Sequence, residues 1–210
     1  MEKLLETLKI VNGIAPFLSF HQERLNYSRQ MLFNAQNEIY LANFIRAPSP
    51  VGIYKCRIIY SETIETVEYS YYKPRTFQTF KIIENDDIAY PFKYLNRDEL
   101  NRLSKLKGNA DDILIIKQGL VTDTSIANVA FFDENNNKWV TPSTPLLNGT
   151  TRTRLLREKQ IIEATIRLED LTVFTKMAMM NALVGFYLIE DFKLDDQVLL
   201  SGFLEKANFP

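Results

Sequence analysis

The 210-residue chain has one cysteine, Cys56, and one histidine, His21. A single thiol excludes an intrachain disulfide and a cysteine-ligated zinc site. A single imidazole removes most metal-hydrolase arrangements and the Ser-His-Asp triad, so no metal site is expected. An enzyme made from this sequence must move protons with Lys, Tyr, Asp or Glu, or borrow a cofactor. Long apolar runs are missing too. Met177 to Ile189 is the most apolar run; Asn181 interrupts it, and it is shorter than the roughly 20 residues that span a bilayer. The opening Met1-Glu2-Lys3-Leu4-Leu5-Glu6 places acid where an export signal needs base, so a cytoplasmic protein off the membrane is expected. Neither sign of charge is in excess. Lys plus Arg is 25 and Asp plus Glu is 26, which argues against nucleic acid as a partner.

What is present describes a folded chain. Hydrophobic residues are 46% and aromatic residues 12%, ample for a core. Leu5 to Val11 reads as a strand closed by the turn pair Asn12-Gly13. Ser19 to about Asn34 carries helical spacing, with Phe20, Leu25 and Met31-Leu32 on one face and Ser19 as N-cap. A second short helix is expected over Gln36 to Phe44, broken by Ala47-Pro48-Ser49-Pro50. Ile53 to Tyr60 and Val67 to Tyr71 alternate as a strand pair. Further strands are expected at Phe77–Ile83, Asp112–Lys117, Asn128–Phe132 and Lys138–Thr141, with helices at Arg97–Leu106 and Arg152–Lys159. Strands mixed with helices and hairpins, without regular βαβ units, indicate an α+β protein with mixed sheets. Lys73-Pro74 is the best boundary, giving a small lobe over 1–73 and a larger one over 74–210.

Two segments offer chemistry. Gly149-Thr150-Thr151-Arg152 opens a helix and can present free N–H groups and two hydroxyls to an anion. The same pattern also describes an ordinary helix start. Lys93 lies within Tyr90-Pro91-Phe92-Lys93-Tyr94-Leu95. Burial among these neighbours would lower its pKa and make it a nucleophile, whereas a snorkelling stem would leave it a surface lysine.

Four ordered segments decide between these readings by resemblance. Leu5-Glu6-Thr7 followed by His21-Gln22-Glu23-Arg24-Leu25 resembles an FET strand and an H-x-x-RL helix. Lys93-Tyr94-Leu95-Asn96-Arg97 is similar to K-x-LNR, and Gly119-Leu120-Val121-Thr122-Asp123-Thr124-Ser125-Ile126-Ala127-Asn128 to G-x-VTE-x-S-x-x-N. Thr141-Pro142 with Leu146-Leu147-Asn148-Gly149-Thr150-Thr151-Arg152 matches TP…LL-x-G-x-TR. Together they resemble the class IV, fold type IV family of pyridoxal-phosphate enzymes. That family includes branched-chain and D-amino acid aminotransferases and aminodeoxychorismate lyase. Lys93-x-Leu95-Asn96-Arg97, Asn181-Ala182-Leu183 and Thr7 favour the lyase branch.

The resemblance implies a two-lobed fold with pyridoxal 5'-phosphate between the lobes. It makes Lys93 the Schiff-base lysine, forming the internal aldimine and moving the substrate proton, with Thr7 as the second catalytic residue. Arg24, Thr150 and Thr151 would hold the phosphate, and Asn181 and Ala182 would close its cup. Asp123, with Asn128 in the same motif, stands where the family has Glu at the pyridine nitrogen, one methylene shorter. It also implies a homodimer acting on a small-molecule amine. The implied reaction converts 4-amino-4-deoxychorismate to 4-aminobenzoate and pyruvate, on the route to folate. An aminotransferase would use the same residues. A non-catalytic relative is the third outcome, because the chain begins four residues before the first motif, where relatives carry an extra strand. His21 reads as structural, and Cys56 and Trp139 as packing residues.

Overall fold

The computed structural model describes residues 2–195. Strand β1 (Leu4–Val11) sends Leu4, Leu8 and Ile10 into one core, while Thr7 and Lys9 face the other way. It pairs antiparallel with β2 (Ile53–Tyr60) along its whole length, from Leu4↔Tyr60 to Val11↔Ile53. β3 (Ile64–Tyr71) completes a three-stranded sheet on the far side of β2. Helix α1 (Leu18–Phe33) packs through Leu25 against Leu4, Leu8, Cys56 and Ile58.

Two expectations in this part are corrected. Ser19 does not cap α1; the helix begins at Leu18, and Phe17 at the cap is left-handed, with φ 57 and no side-chain capping bond. A long-range contact favours this start, since the Arg154 guanidinium lies 4.1 Å from the Phe17 ring centroid and Arg157 sits over Phe20. Gln36–Phe44 is not a helix beyond a single turn at Leu41–Asn43. Side chains of α1 take its backbone groups instead. Arg29 donates to the Asn37 carbonyl, Asn26 Oδ1 accepts from Ile39 N–H, and Gln22 Oε1 accepts from Leu41 N–H. Those bonds replace the helical ones the spacing suggested.

The second sheet has nine strands. β4 (Thr79–Glu84) leads to α2 (Asp98–Ser104) and then β5 (Asp112–Lys117), which lies parallel to β4. β6 (Leu120–Thr124) returns antiparallel through Gln118-Gly119, both at positive φ (52 and 72). No strand is expected here from the sequence, yet the polar residues Thr122, Asp123 and Thr124 are all buried. β7 (Asn128–Asp133) and β8 (Lys138–Pro142) follow, then α3 (Thr150–Arg157) and β9 (Ile162–Ala164), parallel to β8. The run Met177–Ile189 forms most of a hairpin, β10 (Lys176–Asn181) and β11 (Gly185–Glu190), and β12 (Lys193–Asp195) lies parallel to β4 at the edge. No helix among the described residues is long and apolar enough to cross a membrane.

Mixed parallel and antiparallel pairings with segregated helices make this an α+β fold. The chain passes between the two sheets over residues 72–78; residues 196–210 of the expected 74–210 segment lie outside the described residues. Within the large sheet, β6 and β7 meet through one residue pair, Asp123↔Asn128. The sheet is thus joined at its middle by residues of the third sequence motif.

Candidate active site

A short extended segment sets the position of Lys93. Leu5 N–H donates to the Lys93 carbonyl at 2.9 Å, and Leu95 N–H to the Lys3 carbonyl at 2.8 Å. Leu4 and Tyr94 therefore form an antiparallel bridge on the free edge of β1. Tyr94 packs with the core around Leu4, so alternation turns Lys93 to the opposite face, with Leu5 and Thr7. That face borders a cavity of about 580 Å³, within the range of small-ligand sites. Of the residues singled out in the sequence, Thr7, Arg24, Lys93, Asp123, Asn128, Thr150, Asn181 and Ala182 line it. Thr151 does not; it is buried one residue into α3.

The Lys93 side chain is surrounded by protein but keeps part of its surface open to the cavity. Its amine makes no hydrogen bond or ion pair among the described residues. Burial pushes its pKa down to about 7, and the positive charges of Arg24 and Arg97 add to the fall, against a counter-pull from Glu6. A substantial share of this amine is therefore neutral near pH 7.

Glu6, the middle residue of the first motif and without a role assigned from the sequence, organises this side of the cavity. It sits in the apolar face of β1 with no exposure, and its carboxylate accepts from Arg24 Nε at 2.8 Å, Arg24 Nη2 at 2.6 Å and His21 Nδ1 at 2.6 Å. Burial alone would raise its pKa; the Arg24 charge and the bonds from His21 and Arg24 outweigh that and hold it at about 2. The sequence signal was a carboxylate inside an otherwise apolar strand face, Leu4-x-Glu6-x-Leu8-x-Ile10. The pair orients Arg24, whose Nη1 has no protein partner among the described residues.

Elsewhere in the cavity wall Asp123 is held from three directions. Asn128 Nδ2 donates to Oδ1 at 2.8 Å, and Leu146 and Leu147 N–H groups donate to Oδ2 at 3.0 and 3.1 Å. Burial raises its pKa to about 6, with those bonds pulling the other way. Asn128 also donates to the Leu147 carbonyl at 2.8 Å. Gly149 passes directly behind it: a Cβ there would stand 2.0 Å from Asn128 Oδ1. Gly149 is also the cap of α3 and offers no side-chain bond, so the first N–H groups of the helix remain open. Asn181 ends β10 and Ala182 begins the turn to β11, where Asn181 Oδ1 accepts from Leu183 and Val184 N–H.

This donor set suits pyridoxal phosphate. An amine kept partly neutral can bond to an aldehyde, a free guanidinium edge and a helix start can bind a dianion, and a buried carboxylate can face a ring nitrogen.

Comparison with known proteins is consistent with that chemistry. The sequence model of the family described as amino-transferase class IV matches residues 57–191. An uncharacterised protein of Haemophilus influenzae (strain ATCC 51907 / DSM 11121 / KW20 / Rd) is 38% identical over 189 residues, covering 88% of this chain and all of that one. A crystal structure from Haemophilus somnus 129PT, provisionally named a 4-amino-4-deoxychorismate lyase, is 36% identical with a TM-score of 0.80, covering 88% of this chain and 98% of that one. A hypothetical aminotransferase from Mycobacterium tuberculosis in its PLP-bound form has a TM-score of 0.73 over 97% of this chain and 87% of its own; at 18% identity the likeness is one of fold.

Proposed function

This chain belongs to the amino-transferase class IV family, and from that premise we propose that it is a pyridoxal-phosphate-dependent lyase converting 4-amino-4-deoxychorismate to 4-aminobenzoate and pyruvate. The observation that carries the reading is Lys93, a buried amine with its pKa lowered to about 7, open to a cavity that also holds Arg24, Asp123 and the start of α3. Three features support the lyase over other members: the Lys93-x-Leu95-Asn96-Arg97 segment, the turn at Asn181-Ala182-Leu183, and the name carried by the Haemophilus somnus relative.

Bound in this cavity, pyridoxal phosphate supplies an electrophilic carbon for the substrate amine and a ring that takes up the electron pair released from the neighbouring carbon. The residues of the chain do the rest. Arg24 Nη1, the N–H groups at the start of α3 and the Thr150 hydroxyl hold the phosphate. Asn181 and Ala182 close the opposite side. Asp123, fixed by Asn128, Leu146 and Leu147, keeps a proton on the ring nitrogen, which makes the ring an electron acceptor. Lys93 Nζ, neutral in part at pH 7, takes the proton from the carbon bearing the amine and returns it as the three-carbon fragment leaves. Thr7 presents its hydroxyl on the same face. Aromatisation of the remaining ring drives the cleavage.

The test omits any keto acid. Purified protein, pyridoxal phosphate and 4-amino-4-deoxychorismate should give 4-aminobenzoate and pyruvate in equal, sustained amounts. An aminotransferase would stop after one stoichiometric turnover. No product from this substrate, with steady exchange between amino acids and 2-oxoglutarate, would overturn the lyase reading.

A further inference from the structure

A second, smaller cavity of about 150 Å³ lies beside the first, and the two share Arg75, Arg97, Ser125 and Ile126. Its walls carry two buried polar atoms without a protein partner, Arg97 Nε and Asp112 Oδ2. Asp112 is 3% exposed, so the missing partner is costly unless something fills the chamber. Two opposite charges facing a polar space of this size are the setting for bridging water. A direct chain also joins them. Arg97 Nη2 donates to the Ser125 carbonyl, and the Ser125 hydroxyl donates to Asp112 Oδ1 at 2.6 Å.

Arg97 is thereby fixed from behind while it borders the main cavity. Nη1 makes no hydrogen bond with the described protein, and Arg97 enters no ion pair among the described residues. The cavity around it is strongly basic. Lys55, Arg57, Lys73 and Arg75 also line it, and Asp123 is the one acidic residue in its described lining. The chain as a whole carries −1, so this concentration of cations is local. Glu6 balances Arg24 and Glu68 balances Arg57, whereas Arg97, with its Nε buried, has no counter-ion among the described residues. A preoriented guanidinium of this kind recognises carboxylates.

We propose that Arg97 is a specificity-determining residue that binds a substrate carboxylate remote from the reacting amine, and that Asp112 positions it through Ser125 and the water of the small chamber. The proposal rests on the reading that Lys93 handles the amine end of the substrate. It makes the preferred substrate a small amine with a carboxylate set apart from the reacting nitrogen.

The probes are benzamide and benzoate, titrated calorimetrically into the protein loaded with pyridoxal phosphate. Benzoate should bind at least about tenfold tighter, as one charge-assisted contact warrants. Arg97→Gln should cut that preference to less than about threefold while leaving benzamide affinity and cofactor absorbance unchanged. Arg97→Lys, which keeps charge but loses the fork, should fall between. Asp112→Asn should lower the preference with the same spectrum and benzamide affinity, a pattern that general loosening would not give. No preference in the native protein, or one that survives Arg97→Gln, overturns the Arg97 assignment; a full preference in Asp112→Asn overturns the positioning role. Binding needs no turnover. A native protein that prefers benzoate but makes no 4-aminobenzoate refutes the lyase reading alone. One that makes 4-aminobenzoate while Arg97→Gln keeps the preference refutes this inference alone.

Discussion

Replacing Glu6 by Gln tests the electrostatic arrangement behind the cavity. Glu6 is fully buried and accepts three charge-assisted hydrogen bonds, two from Arg24 and one from His21. Its pKa is held at about 2 against an ordinary 4.5. A gap of that size corresponds to about 3 kcal/mol of folding stability at neutral pH. Because the folded value is the lower one, the contribution is complete above pH 4.5 and lost as pH falls towards 2. By pH 3, linkage removes about 2 of those 3 kcal/mol. Glu6→Gln leaves Arg24 buried with no counter-ion, so at pH 7 it should cost about 3 kcal/mol, within the range for breaking a buried pair. Urea unfolding of both proteins at pH 7 and pH 3 measures this. The difference between them should shrink from about 3 to about 1 kcal/mol across that interval. The variant should also bind pyridoxal phosphate more weakly at pH 7, since Arg24 loses the carboxylate that aims it. A stability difference that stays constant from pH 7 to pH 3 would refute the ionised Glu6–Arg24 pair.

Lys93 should react with an amine-selective acylating reagent with a midpoint near pH 7. Pulse labelling of the cofactor-free protein across pH, with peptide mapping, reads this directly, and a Lys93 midpoint above pH 9 would contradict the burial argument. Gly149→Ala should drive Asn128 from Asp123, because the new Cβ would fall 2.0 Å from Asn128 Oδ1. Losing that buried bond costs about 1–3 kcal/mol. The melting temperature should drop by several degrees and cofactor affinity should fall with it; an unchanged melting temperature would show that Asn128 relocates freely.

Local periodicity and turn chemistry were enough to read much of the scaffold. The alternation in Leu4–Val11 and Ile53–Tyr60, the Asn12-Gly13 turn and the helix beginning beside Gly149-Thr150 are set by residues a few positions apart, so they are visible along the chain. The motifs likewise pointed to Lys93, Arg24 and Asp123, and to the class IV family to which the chain belongs. Other features depend on partners far away in sequence. The segment at Gln36–Phe44 stays out of a helix because Gln22, Asn26 and Arg29 capture its backbone, and α1 starts at Leu18 with Arg154 stacked on Phe17. The polar stretch Thr122–Thr124 is a buried strand because β5 and β7 flank it and its groups find bonds there. Glu6 beneath Arg24, and Asp112 behind Arg97, were equally hidden. Preferences for strand, helix or turn, and the residues able to carry amine chemistry, are written along the chain. Which charges are buried together is a matter of packing, because desolvation and pairing depend on distance in space rather than along the chain.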